Sequence, residues 1–109
     1  MEPESNYRNR IQELYVAIEN ALEGVDPDVA ECEQSLGAMT IVFSDRSRCI
    51  LSAQPSVRQL WLALAARGTA YHFNFDETSG RWMDDKGRGD LNTLFENYFQ
   101  EMTGQKVKI

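Results

Sequence analysis

Six carboxylates and no basic residue occupy the stretch ENALEGVDPDVAECE, which runs from residue 19 to residue 33. The acidic side chains are Glu19, Glu23, Asp26, Asp28, Glu31 and Glu33. Hard cations such as Fe²⁺, Fe³⁺, Mn²⁺ and Ca²⁺ bind carboxylate oxygens. Because the stretch contains no histidine, we expect weak, exchangeable and poorly selective surface binding of such cations. The same acids are also compatible with a docking surface for a basic protein, or with a solvated face that keeps the protein soluble.

The acidity of the chain is confined to one region. Eight acids and no base lie between residues 11 and 45, whereas the other segments carry nine acids and eleven bases, and the net charge is −6. An acidic surface repels nucleic acid and anionic lipid and attracts cations and basic proteins. We therefore expect neither nucleic acid nor a membrane as a partner.

Length and composition are those of an ordinary globular protein, with 109 residues, 42% hydrophobic and 26% charged. We expect a single domain that spans residues 1–109. No apolar run approaches the roughly 18 residues of a membrane span, and the N-terminal MEPESNYRNR is too polar for a secretory signal. Cys32 and Cys49 lack the spacing of zinc ligands, so reduced thiols in a cytoplasmic protein are the expectation.

Two amphipathic helices are predicted from apolar residues at steps of three and four, over roughly residues 4–24 and from Leu91 to Met102. Gly24 and the Asp26-Pro27 pair should end the first, because the residue before a proline disfavours the helical conformation. Gly104 is a good C-terminal stop for the second, and the tail QKVKI is expected to pack back on the domain. Helical spacing would place three acids on one flank of the first helix: Glu19, Glu23 and Asp26.

Between the helices the apolar pattern changes to the period of two that is typical of strands. Six short strands are predicted at about residues 29–34, 38–43, 48–53, 57–64, 70–75 and 81–83. Strands joined by short turns pair as antiparallel neighbours, and two amphipathic helices need an apolar surface to cover. The predicted fold is therefore α+β, a two-layer sandwich in which an antiparallel sheet of about six strands is flanked on one face by both helices.

The open face of this sheet carries a tryptophan in the segment RQLWLA. If Leu60 and Leu62 face the helices, Gln59 and Trp61 face solvent. Tryptophan is among the residues most enriched at binding hot spots, although Trp61 is equally compatible with packing on cross-strand neighbours. The single histidine, His72, is more often structural or simply exposed in such a position than catalytic.

These segments together resemble the frataxin family, and within it the bacterial members, over essentially the full length. QPSVRQLWLA is similar to the family stretch Q-x-P-x-x-Q-[IV]-W-L-[AS], with the proline displaced by one position. The acid-rich first helix that runs into DVAECE, then YHFNF and RWMDDKGRGDLNTLFENYF, follow in the family's order.

The resemblance implies an α-β sandwich, cytoplasmic location, iron binding at the six carboxylates and a regulatory role in iron–sulfur cluster assembly. It further implies contacts with a cysteine desulfurase and with the scaffold protein on which clusters are built, and we expect a monomer in the absence of iron. Gln54, Gln59 and Trp61 match the family's surface for the scaffold. The family usually has an asparagine where this chain has Ser52, whose hydroxyl cannot make a two-point amide contact.

The sequence distinguishes between three functional classes. A ferroxidase or iron store needs a closed di-iron site, typically with Glu-x-x-His pairs on facing helices, and the sequence contains no such pair. We therefore expect a protein that is not an enzyme. The two remaining classes are an iron-binding regulator of cluster assembly and a metal-independent acidic module that docks a basic protein surface.

Overall fold

The computed structural model describes residues 3–109 and contains two α-helices separated by six β-strands. The elements are α1 (Glu4–Leu22), β1 (Ala30–Ser35), β2 (Ala38–Phe43), β3 (Arg48–Gln54), β4 (Gln59–Leu64), β5 (Thr69–Asp76), β6 (Arg81–Asp84) and α2 (Leu91–Thr103). Single 3₁₀ turns, at Pro55–Val57 and Ala65–Arg67, join β3 to β4 and β4 to β5. The order of helix, six strands and helix is the predicted one.

The six strands form one antiparallel sheet in which every strand pairs with the next along the chain, in the order β1-β2-β3-β4-β5-β6. The strands β1 and β6 therefore lie at the two edges. The register places Ser52, Trp61 and His72 directly across from one another on β3, β4 and β5. This row crosses the middle of the open face, which the helices do not cover.

Both helices bury their apolar stripes against the other face of the sheet, which confirms the two-layer α+β sandwich. The helices contribute Tyr7, Ile11, Leu14, Tyr15, Ile18, Leu22, Leu91, Phe95, Tyr98 and Phe99 to the core. The strands contribute alternate residues such as Met39, Ile41, Leu51, Leu60, Leu62 and Phe73, all of which are fully buried. Burial of these side chains supplies the main stabilising free energy of the fold.

Two predicted boundaries are wrong. The helix α1 ends at Leu22, so Asp26 lies in the connection to β1 and only Glu19 and Glu23 have helical spacing. The predicted fourth strand began at residue 57, but β4 begins at Gln59, because Arg58 adopts a left-handed conformation with φ 52° after the 3₁₀ turn. Pro55 at the first position of that turn fits its fixed φ.

The second helix is capped at both ends, and its C-terminal stop at Gly104 is the predicted one. The side chain of Asp90 accepts a hydrogen bond from the backbone N–H of Thr93 (3.0 Å), and Gly104 ends the helix with φ 74°. The tail returns to α2, where the backbone N–H of Ile109 donates to the Glu96 carboxylate (2.9 Å). Between residues 3 and 109, no helix combines the length and the apolar character that crossing a membrane requires.

Candidate functional site

All six predicted carboxylates are exposed, and together they are here called the acidic ridge (Glu19, Glu23, Asp26, Asp28, Glu31 and Glu33). Glu19 and Glu23 lie at the C-terminal end of α1, Asp26 and Asp28 lie in the connection, and the remaining two lie on β1. The ion pairs found within residues 3–109 involve none of the six. The ridge is therefore unneutralised by Lys or Arg in the described part of the chain.

The end of α1 makes this position still more negative. A helix C-terminus carries partial negative charge on its last carbonyl groups and is normally accompanied by basic side chains. The last turn of α1 contains no basic residue, and Glu23 is itself the C-cap. Helix dipole and carboxylates thus add, and both favour a bound cation or a basic partner at this end of the molecule.

The ridge is open rather than enclosed. Glu31 and Glu33 project from β1 to the side opposite the buried Ala30, whereas Glu19 lies on the helix, where it accepts a hydrogen bond from the side-chain amide of Gln34. Across residues 3–109, no three His, Cys, Asp or Glu side chains are close enough together to form a ready-made metal site. Such an arrangement offers carboxylate oxygens to a hydrated cation without a closed coordination shell.

Cys32 is the one sulfur ligand beside the ridge, and it is half-buried between the ridge and α1. Burial raises the pKa of its thiol to about 11, and the neighbouring charges of Glu19 and Glu33 add to the effect. Because the thiolate is the form that binds metals, the raised pKa makes Cys32 a less favourable ligand than the exposed carboxylates. The donor atoms of the ridge are therefore oxygens, which suit hard cations.

The three predicted partner residues lie together on the open face of the sheet. Gln54 on β3 and Gln59 on β4 are directly paired in the register, and Trp61 follows two residues after Gln59. The indole Nε1–H of Trp61 donates to Oε1 of Gln59 (2.9 Å), and Nε2 of Gln59 donates to Oδ1 of Asn74 (3.3 Å). A fixed aromatic ring with hydrogen-bonded amides at its edge is typical of a protein-binding surface.

Trp61 is half-exposed because a cross-strand neighbour covers one face of its ring. That neighbour is His72, whose ring is stacked on the indole with a centroid distance of 4.3 Å and an interplanar angle of 16°. Nδ1 of His72 lies 3.8 Å from Oδ2 of Asp85 in the connection after β6. The contact between His72 and Trp61 was not predicted, although the register of the β4–β5 hairpin places the two residues opposite each other.

Ser52 lies directly across from Trp61 on the other side, at the position where an asparagine was expected. The row Ser52, Trp61 and His72 therefore has a small hydroxyl on one flank and an aromatic ring on the other. The acidic ridge begins three strands away on β1. At about 4.8 Å per strand, the two surfaces are separated by roughly 14 Å.

The sequence model described as the frataxin-like domain matches residues 2–105 of the chain. The chain belongs to the frataxin family. The segment around Trp61 that suggested the resemblance and the acidic residues before it both lie within the matched range.

Bacterial frataxins are among the relatives of the chain. It is 38% identical over 104 residues to a Pseudomonas putida protein, covering 90% of each chain. It is also 35% identical over 105 residues to an Azotobacter vinelandii protein, covering 96% of this chain and 93% of that one. Both relatives are named iron-sulfur cluster assembly protein CyaY.

Solved structures of frataxins share the fold. Frataxin from Psychromonas ingrahamii superposes with a TM-score of 0.86 at 20% identity, covering 98% of this chain and 97% of that chain. Trimeric frataxin from Saccharomyces cerevisiae, solved in complex with ferrous iron, gives a TM-score of 0.69 at 22% identity, covering 96% and 89%. At these identities the likeness establishes the common sandwich of two helices on a six-stranded sheet.

Proposed function

We propose that the protein is an iron-binding regulator and adaptor of iron–sulfur cluster assembly in the cytoplasm, and that it is not an enzyme. The observation that carries the proposal is the pair of separate surfaces, an unneutralised acidic ridge and an aromatic patch on the open sheet face, in a member of the frataxin family. The naming of its relatives as cluster assembly proteins supports the pathway.

The acidic ridge is proposed to bind iron weakly and exchangeably and to contact the cysteine desulfurase. Exposed carboxylates with no closed shell favour a hydrated cation, with poor selectivity against other hard cations. The ferrous complex of a yeast frataxin supports an association between this fold and iron. Unneutralised acids at a helix C-terminus also favour a basic protein surface.

The open face is proposed to contact the cluster scaffold through Gln54, Gln59 and Trp61. The indole is fixed by Gln59 and His72 before any partner arrives, and a pre-organised aromatic anchor loses little entropy on binding.

Anaerobic calorimetric titration with Fe(II) tests the metal assignment. The ridge variant carries E19Q, E23Q and D26N, and the control carries E13Q, E77Q and E101Q, which remove the same charge elsewhere. We expect the ridge variant to bind iron severalfold more weakly than the control, because its oxygens are ligands and the control's are not. Equal iron affinities in the two variants would contradict the ridge as an iron site.

Titration of the desulfurase with and without Fe(II) tests the second candidate, a metal-independent acidic module. That candidate is favoured by the open geometry, since a basic protein needs no ready-made metal site. If the desulfurase binds the wild type but not the ridge variant, and iron leaves its affinity unchanged, the ridge serves the protein partner alone. An affinity that rises with Fe(II) supports the iron-dependent regulator.

A further inference from the structure

The end of the β3–β4 hairpin, which carries both partner glutamines, is tied to α1 by one buried hydroxyl. Tyr7 Oη accepts a hydrogen bond from the backbone N–H of Gln54 (2.9 Å) and donates one to the backbone carbonyl of Gln59 (2.5 Å). Gln54 and Gln59 are paired residues in the register. The hydroxyl therefore connects the N–H of Gln54 on β3 to the carbonyl of Gln59 on β4. These two residues are the last pair of the hairpin, here called the rung.

Other contacts at this position include the Arg58 guanidinium, which donates to the carbonyl of Pro55, and the pairing of Gln59 with Asn74 on β5. The chain between the two glutamines is a 3₁₀ turn in which Pro55 has no N–H to donate, and Arg58 has a left-handed φ of 52°. The turn itself is closed by one backbone hydrogen bond, from Arg58 N–H to the carbonyl of Pro55 (3.2 Å). A non-glycine residue in the left-handed region persists only where its surroundings hold it.

The ring of Tyr7 is itself rigidly placed. It is 1% exposed, meets the edge of Trp82 at a centroid distance of 6.1 Å and 80°, and has the Arg58 guanidinium 5.9 Å from its centroid. A side chain packed this closely keeps one rotamer. Its hydroxyl therefore has a defined position from which to hold the rung.

We infer, on the basis of the proposed function, that Tyr7 is a positioning residue for the scaffold-binding surface. Its hydroxyl fixes the backbone of Gln54 and Gln59, and the side chain of Gln59 in turn holds the indole of Trp61. Without the hydroxyl, a buried N–H and a buried carbonyl lose their partner. The rung must then rearrange, and the two amides and the indole lose their fixed directions.

Tyr15 provides a matched control on the same helix. It is 3% exposed, and its hydroxyl donates to the backbone carbonyl of Gly37 (2.7 Å), with the carbonyl of Leu51 at 3.3 Å. Y7F and Y15F therefore each remove a hydroxyl that hydrogen-bonds to the backbone, but Tyr7 both accepts and donates whereas Tyr15 only donates. Tyr7 contacts Gln54 and Gln59 directly, whereas Tyr15 contacts the carbonyl of Gly37, which also accepts from the N–H of Ala53.

The experiment compares four proteins: wild type, Y7F, Y15F and W61A. Their stability is measured by unfolding in urea, and their affinity for the scaffold protein by calorimetry. NMR reports the backbone amide exchange of Gln54 and the signal of the Trp61 indole N–H. We expect Y7F to lose at least as much stability as Y15F, because it leaves both a backbone donor and a backbone acceptor without the hydroxyl. Only Y7F should accelerate exchange at Gln54, shift the indole signal and raise the Kd about five- to tenfold, the value of one hydrogen bond.

The outcomes separate this inference from the proposed function. If W61A leaves the affinity unchanged, the scaffold assignment is wrong, and exchange at Gln54 in the free Y7F protein still decides whether Tyr7 holds the rung. If W61A weakens binding while Y7F binds as wild type does, the positioning role is overturned. Equal loss of affinity in Y7F and Y15F would also overturn it, since general destabilisation would then be the cause.

Discussion

The side chain of Trp61 has a fixed position and is still partly exposed. Its indole is stacked on His72 and hydrogen-bonded to Gln59, yet it lies on the face of the sheet that the helices leave open. The ring therefore packs on a cross-strand neighbour, as one interpretation of the sequence had it, and its role as a binding anchor stays a prediction. The stacking partner removes one face of the ring from water and leaves the other for a partner.

Replacing Trp61 by alanine should separate binding from folding. We expect the free energy of unfolding to fall by about 1 kcal/mol, the value of an aromatic pair, and scaffold binding to weaken by about 2 kcal/mol or more. Urea unfolding and calorimetry measure the two effects. The matched control is Trp82→Ala. Because Trp82 is 4% exposed, its replacement should lower the free energy of unfolding by about 3–5 kcal/mol. Comparable losses of stability in the two variants would rule out the exposed anchor.

Leu36 has the least favourable environment of any large apolar residue described in the chain. It is fully exposed and has φ 42°, and Gly37 beside it has φ 82°. A two-residue hairpin turn between paired residues Ser35 and Ala38 requires positive φ at both central positions, where asparagine and glycine are preferred.

Leu36→Asn should therefore stabilise the protein by roughly 1 kcal/mol, because a left-handed conformation costs an ordinary residue about 1–2 kcal/mol. Leu36→Ala is the control, since it removes the exposed side chain but keeps the Cβ atom that causes the strain. Chemical denaturation of the three proteins gives the comparison. An equal gain in Leu36→Ala would attribute the effect to the exposed apolar surface instead.

At the scale of elements, the connection from β6 to α2 is organised by one buried carboxylate. The side chain of Asp84 is completely buried and accepts hydrogen bonds from the Arg88 guanidinium (2.8 and 3.0 Å) and from the backbone N–H groups of Lys86 and Arg88. Arg88 also lies over the ring of Tyr71, 4.1 Å from its centroid. This connection carries Asp85, the residue beside His72.

The hydrogen bond from Arg88 lowers the pKa of Asp84, so its contribution to stability is present above the unfolded pKa of about 3.9. That contribution is lost as the pH falls through the lower folded pKa. Asp84→Asn should lower the free energy of unfolding by about 2 kcal/mol at pH 7. The difference from the wild type should become progressively smaller in acid. Urea unfolding at several pH values measures the difference, with Asp85→Asn as a control of equal charge change. A deficit that persists unchanged in acid would show that packing, not ionisation, is the cause.

The elements that could be predicted are those with a strong apolar period. The helices, the six strands and the open-face position of Trp61 all follow from spacing, because burial of one face decides them. The 3₁₀ turn at Pro55–Val57 was missed, since the alternation of Val57, Gln59 and Trp61 imitates a longer strand. The roles of Tyr7 and Asp84 were missed because each depends on partners distant along the chain or on a loop geometry that has no period.

The whole molecule combines an acidic end with a more balanced remainder. Its acidic ridge lies at one edge of the sheet and the end of α1, and the overall charge is −6. A charged patch of this kind steers association with an oppositely charged partner, but salt screens it beyond about 10 Å at 0.1 M. Around Trp61 the open face carries aromatic and amide groups, although Glu31 and Glu33 project from β1 to the same side, so binding at Trp61 should depend less on ionic strength than binding at the ridge.

Desulfurase affinity should therefore fall clearly between low and physiological ionic strength, whereas scaffold affinity should change little. Calorimetry over a salt series measures both, and the ridge variant with E19Q, E23Q and D26N should show a shallower dependence for the desulfurase. The same triple change should raise the melting temperature, because it relieves mutual repulsion. A desulfurase affinity that is flat in salt would place that interface elsewhere.

The position of β1 at the edge of the sheet has a consequence for aggregation. An edge strand presents unpaired backbone groups that can template pairing with another chain, and proteins protect such edges with charged side chains. Glu31 and Glu33 lie on this strand, and two copies meeting there would bring like charges together. We expect E31Q with E33Q to increase self-association, measured by light scattering, whereas E13Q with E77Q should not. Neutralising these acids with a bound cation would then weaken the barrier that keeps one copy's sheet from extending into the next.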